Sequence, residues 1–98
     1  MNEIGNCTFC KREMELTFHH LIPRTCHKNK WFKDNFTFED MKTRGVLLCK
    51  DCHITVHQTI PNEKELGRYY NTIETLLEQQ DIKRFVNWVT SRPNRRYR

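Results

Sequence analysis

Four cysteines and four histidines of this chain fall at spacings that suit metal chemistry. Cys7-Thr8-Phe9-Cys10 and Cys49-Lys50-Asp51-Cys52 are two Cys-x-x-Cys knuckles with residues 11–48 between them. Each knuckle lets two thiolates reach one ion from a tight turn, and two matched knuckles make the tetrahedral four-thiolate set of a structural Zn²⁺. Pairing them closes a long loop, so metal binding would be folding free energy for so short a chain. Unrelated redox motifs or plain buried thiols are the competing account, and the matching of the knuckles makes it the weaker one. The fifth cysteine, Cys26, lies in a polar stretch and is expected to be a partly exposed free thiol.

The histidines form two patterns, His19-His20 and His53-x-x-x-His57. On a helix, residues i and i+4 lie on one face, so two imidazoles there can bind one divalent ion, and a third ligand must come from elsewhere. Adjacent strand residues point to opposite faces, which lets His19 and His20 divide the labour between one ligand and one free base. An imidazole is matched to taking a proton from water near neutral pH. The alternative is that His53, abutting Cys52, supports the zinc knuckle instead of a separate site.

These side chains need elements to hold them. Residues 15–22 alternate apolar and polar with β-branched and aromatic members and stop at Pro23, which predicts a strand ending near His20. Residues 45–49 read as a second strand, and the two are expected to pair as an antiparallel ribbon. Residues 24–44 then form an excursion that packs its aromatics locally, with a helical turn around 37–41. Asp51 is placed to cap a helix from Cys52 or His53 to about Thr59, stopped by Pro61. Leu66, Tyr69, Tyr70, Ile73 and Leu77 follow the spacing of one helix with one buried face, begun near Asn62. Asp81 can cap a last helix with Ile82, Phe85, Val86 and Val89 inward.

In combination, Cys-x-x-Cys, His19-His20-Leu21-Ile22-Pro23-Arg24 and Leu47-Leu48-Cys49-x-x-Cys52-His53-x-x-x-His57 resemble the HNH endonucleases, more narrowly their small bacterial zinc-knuckle members. The likeness covers residues 7–57; the stretches 70–74 and 85–89 are weaker matches to the helical tail of that subgroup. It implies an α+β fold, a small ββα-metal (His-Me finger) domain braced by a four-cysteine zinc site and carrying C-terminal helices. By position, the resemblance makes His19, His53 and His57 ligands of a catalytic divalent cation and His20 the general base. The Asn of the family name, which braces the ribbon, falls at Arg44. Three options follow: Arg44 contacts phosphate instead, Asn35 supplies the brace, or the base is poorly held.

Three neutral imidazoles leave a cation its full charge and open positions for a phosphate and water, as phosphodiester hydrolysis requires. Such ligands suit Zn²⁺, Ni²⁺ and Mn²⁺ better than Mg²⁺. The family's chemistry implies 5′-phosphate and 3′-hydroxyl products. The chain's 98 residues, 30% charged and 37% hydrophobic, with 17 Lys+Arg against 12 Asp+Glu, fit one small domain of net charge +5. The core spans residues 7–57, the C-terminal helices 62–91 and a basic tail 92–98. That tail holds Arg92, Arg95, Arg96 and Arg98 and reads either as a phosphate-binding arm or as a solvated terminus. Arg24, Lys28 and Lys30, with Lys33 and Arg44, extend the track for DNA. Neither a membrane span nor a secretion signal is legible, so a cytoplasmic protein, monomeric or homodimeric, is expected. Two other readings compete with a nuclease: a noncatalytic zinc module that binds DNA, and a protein that docks partners through its aromatic helices.

Overall fold

The computed structural model describes residues 3–92, an α+β arrangement of a three-stranded antiparallel sheet and short helices. Strand β1 (Ile4–Asn6) pairs with β2 (Glu13–His20), which pairs with β3 (Gly45–Cys49). The ribbon expected from the sequence is therefore present, two residues longer at the start of β2 and with one extra strand at its edge. Strand β1 is three residues long with Gly5 at its centre, too little for an alternating pattern to register.

The first knuckle is the turn from β1 to β2. The Cys7 amide donates to the Arg12 carbonyl at 3.0 Å and the Lys11 amide to the Cys7 carbonyl at 2.9 Å. Lys11 closes the turn with a φ of 68°, a left-handed position usually given to glycine. The second knuckle is the start of α3 (Lys50–Thr59), whose N-cap is Cys49: its Sγ accepts from the Cys52 amide at 3.4 Å. Asp51 is thus not the cap the sequence suggested. The Cys49 sulfur serves one of the helix's unpaired amides, so the helix begins two residues early.

Residues 24–44 fold into a 3-10 turn (Arg24–Cys26) and two helices, α1 (Lys30–Asn35) and α2 (Phe38–Thr43), capped by Asn29 and Thr37. They enclose a satellite core of Ile22, Cys26, Phe32 and Met41, against which Trp31 and Phe36 pack. Cys26 is a correction to the expected exposed thiol: it is buried, with its Sγ 3.6 Å from the Glu63 carbonyl.

The expected long helix after Asn62 is two, α4 (Glu63–Tyr69) and α5 (Ile73–Glu78). The Asn71 side chain donates to the Gly67 carbonyl at 2.9 Å, closing α4, and Thr72 with Thr75 forms a capping box that opens α5. Tyr69 is consequently exposed, not part of a buried stripe, and Leu76 takes the buried place. Gly67 lets α4 lie against the satellite core, since a Cβ there would meet Pro23 Cδ at 2.9 Å and Phe32 Cε1 at 3.0 Å. Helix α6 (Gln80–Val89) is capped by Gln79 and buries Ile82, Val86 and Val89 against α3 and α5. None of the described helices is long and apolar enough to cross a membrane.

Candidate metal centres

Two clusters of metal-ligating side chains stand in the described part of the fold. The first gathers all four knuckle cysteines, each buried, with sulfurs within 4.8 Å of one another, a set that could hold a metal ion such as zinc. Arg12, missed in the sequence, is its electrostatic partner. The guanidinium lies 3.3 Å from Cys10 Sγ and 3.7 Å from Cys49 Sγ and pairs with Asp51 at 3.2 Å, with its side chain 9% exposed. Cys10 is held far below the usual thiol range, first by hydrogen bonding from Cys49, then from Cys52 and Cys7, with Arg12 adding to it. Cys7 is lowered as well, while the same mutual hydrogen bonds push Cys49 and Cys52 up, so without an ion the cluster shares its protons. Four convergent sulfurs beside a guanidinium suit a divalent cation.

The second cluster arises where α3 crosses the β2–β3 ribbon. Register pairs His19 with Val46 and Thr17 with Leu48, so these four share the face that α3 covers, while Phe18 and His20 take the opposite pleat. Burial along β2 accordingly changes phase: Met14 and Leu16 are buried on one face, then His19 on the other. One helical turn brings His53 and His57 to that point, their ring centroids 5.0 Å apart and 5.1 and 5.3 Å from His19. The ligating nitrogens of the three lie within 4.8 Å of one another. His19 is 1% exposed, and neither of its ring nitrogens has a hydrogen-bond partner among the described residues. A buried imidazole without partners is costly, and a cation on its lone pair would remove the share of that cost that belongs to the acceptor nitrogen. Burial, then the neighbouring His53, His57 and His20, push its pKa down to about 3, so the ring is neutral and able to ligate at pH 7.

Thr17 sets the state of His53. Its hydroxyl donates its only proton to the Leu48 carbonyl at 3.0 Å and lies 2.7 Å from His53 Nδ1, from which it must then accept. His53 thus carries its proton on Nδ1 and offers Nε2 to an ion, the usual arrangement of a ligand fixed from behind. His53 belongs to this cluster and not to the thiolates. The signal for Thr17 was present in the sequence, since it lies two strand positions before His19 and so on the same face.

His20 pairs with Gly45 at the end of β2, its ring edge-on to Phe18 at 4.8 Å and 6.2 Å from His27. A Cβ at Gly45 would run into the Phe18 ring, so the ring keeps its place against His20 only with glycine there. Although on the opposite pleat, His20 lines the same cavity of about 210 Å³ as His19, His53 and His57, with Arg24 and Glu63 at its margin. Glu63 is held by the Thr25 hydroxyl, which donates to Oε1 at 2.6 Å. Burial first, then His27 and Arg24, lower the His20 pKa.

The remaining sequence candidates are distributed unevenly. Arg24 and Lys28 line a second basin beside His20, joined by Lys42 and His27. Lys30 pairs with Asp34 at 3.0 Å. Arg44 pairs with Asp40 at 3.0 Å, lies over the Phe36 ring at 5.4 Å and donates to the Asn71 carbonyl at 3.4 Å, while its own carbonyl accepts from Leu21 at 3.1 Å. Asn35 donates to Trp31 at the end of its own helix. Arg92 lies over Trp88 at 4.5 Å; Arg95, Arg96 and Arg98 are outside the described residues. Set against known protein-family models, curated proteins and solved structures, the chain matches none, which leaves the site's own geometry to say what it does.

Proposed function

We propose that the protein is a metal-dependent DNA endonuclease of the HNH type, built on a ββα-metal core. The observation that carries this reading is the convergence of His19, His53 and His57 on one point beneath a cavity that His20 also lines, with both nitrogens of buried His19 lacking a partner among the described residues. The orphaned lone-pair nitrogen of His19 and the Nδ1-protonated state of His53 fit a divalent cation there. The Cys7, Cys10, Cys49 and Cys52 set fits a structural zinc. Bound at the imidazoles, a cation such as Mn²⁺, Ni²⁺, Zn²⁺ or Mg²⁺ supplies Lewis acidity to a phosphodiester.

The chain's own residues then have separable tasks. His20, neutral at pH 7, takes the proton of the attacking water as its oxygen bonds to phosphorus. The bond to the leaving 3′ oxygen breaks in line and that oxygen takes a proton from solvent, giving 5′-phosphate and 3′-hydroxyl ends as the HNH resemblance implies. Phe18 at the edge of the His20 ring limits its rotation. Arg44 acts as a positioning residue, tying α2 to the Asn71 carbonyl and, through its own carbonyl, to the turn after His20. It thereby does structurally what the family's Asn does. Arg24 supplies a cation at the margin of the cavity for a phosphate beside the cut.

Plasmid nicking tests this. The wild type with added Mn²⁺ or Ni²⁺ is expected to nick, and His20→Ala to lose at least about 100-fold of that rate, the usual contribution of a general base, with zinc content and DNA binding kept. DNA binding without nicking in the wild type under every cation would instead make it a noncatalytic zinc module, the reading favoured by the basic residues alone.

A further inference from the structure

The basin on the far side of His20 is a separate feature. It measures about 540 Å³, and the side chains of Arg24, Lys28, Lys42, His27 and Phe38 meet there beside His20. None of the described residues lining it is acidic. Asp40, on the same helix as Phe38 and Lys42, is held by Arg44 instead. Phe38 and Lys42 are one helical turn apart, so α2 presents an aromatic ring and a cation on one face. Phe38 is 64% exposed, and its ring meets His27 edge-on at 6.3 Å; His27 in turn is 6.2 Å from His20. The rings of His20, His27 and Phe38 therefore form a row leading out of the catalytic cavity, flanked by three cations. His27 is fixed in that row by its Nε2, 2.9 Å from the Ile22 carbonyl.

We propose that this basin binds an unpaired stretch of a DNA strand, with a base stacked on Phe38 and the adjoining phosphates on Arg24, Lys28 and Lys42. The proposal rests on the nuclease reading for its claim that this strand continues into the cut site, and it deepens that reading by naming the substrate as DNA with a single-stranded segment. The physical ground is that a duplex offers cations its phosphates but keeps its base faces stacked inside. An unpaired base can stack on an exposed aromatic ring at no cost in base-pair stacking, whereas a duplex must first be unstacked, at a cost in free energy for each step. A row of rings beside cations is therefore of little use to an intact duplex and suits a frayed, looped or displaced strand.

The test is fluorescence anisotropy with the full-length, zinc-loaded protein and no second cation, comparing a labelled oligothymidylate with a blunt duplex of the same length. The wild type is expected to bind the single strand at least as tightly as the duplex. Phe38→Ala is expected to weaken single-strand binding about 10-fold and duplex binding less than about 2-fold, with Phe38→Tyr restoring it. Lys28→Ala with Lys42→Ala should reduce the salt slope for the single strand by about 1.4, two contacts at about 0.7 each. Equal losses on both DNAs, or no loss on either, from Phe38→Ala in a protein that melts like the wild type would overturn the proposal and leave a plain phosphate track. Because binding is read without cleavage, a protein that never nicks but shows the Phe38 dependence would refute the nuclease and keep this subsite. A protein that nicks duplex with no Phe38 dependence would do the reverse.

Discussion

His19 is the residue that makes the imidazole cluster more than a coincidence of spacing. Its ring is enclosed, uncharged and without a hydrogen-bond partner among the described residues, so as a mere core residue it is a poor one. The same burial sets a pH dependence. The pKa is about 3 in the folded protein against 6.5 ordinarily, so between these values the unfolded chain binds the extra proton. The stabilising contribution is therefore complete above pH 6.5 and is lost as pH falls from there toward 3. With zinc on the thiolates and no cation on the imidazoles, stability should drop by about 2 kcal/mol between pH 7 and pH 5 from this residue. Denaturant melts at the two values check it. His19→Leu should flatten that part of the difference, and an unchanged pH response in the variant would show that His19 is not buried as described. The pairing of His53 with His57 was legible in the sequence because i, i+4 spacing is local, and His19 joined them there only through the resemblance. The enclosure of His19 was not, because it depends on which pleat α3 covers.

At the level of elements, what holds the site is the crossing of α3 on the ribbon, and one hydrogen-bonded link spans it. Leu48 on β3, Thr17 on β2 and His53 on α3 are joined through a single hydroxyl, so strand register and imidazole orientation are set together. Replacing Thr17 by Val keeps the β-branched shape and removes the hydroxyl. Affinity of the imidazole site for Ni²⁺ or Zn²⁺ should fall about 10- to 100-fold, in the range found for groups that fix a ligand from behind, while Thr17→Ser recovers most of it. Titration calorimetry of the zinc-loaded protein reads this directly, and equal affinity in Thr17→Val would remove Thr17 from the site. The ribbon and α3 were foreseeable from alternation, from Pro61 and from the apolar run before Cys49. The break between α4 and α5 was not, since the apolar spacing runs through it and only the capping chemistry of Asn71 and Thr72 interrupts it. Likewise α1, six residues long, offers too few turns for a period to show. The aromatics of the excursion were expected to pack locally. Phe32 does so, but Phe38 stands outward at the first turn of α2 beside the cationic basin.

At the scale of the described molecule, the apolar core and the four-cysteine cluster are one structure. Cys7, Cys10, Cys49 and Cys52 are packed into the same buried group as Leu48, Val56, Leu66, Leu76 and Ile82, whereas the satellite core around Phe32 has four buried members among the described residues. The knuckles sit at the β1–β2 turn and the start of α3, so an ion there joins the sheet to the helix that carries His53 and His57. Structural zinc sites contribute about 10–16 kcal/mol of apparent binding free energy, comparable to or larger than the roughly 5–15 kcal/mol that separates a typical domain from its unfolded state. A chelator strong enough to strip the thiolates should therefore abolish the far-ultraviolet helical signal in one cooperative step, and Cys52→Ala should fail to fold at about 37 °C. A weaker chelator, able to take only the imidazole cation, should leave that signal intact and stop nicking. Arg12→Met separates charge compensation from ligation. It leaves all four sulfurs in place but removes the buried cation beside them, so zinc should be held about 10- to 100-fold less tightly in a chain that still folds when zinc is in excess. Retention of the full helical signal after complete removal of zinc would mean that the apolar core holds the fold alone and that the thiolates have some other task.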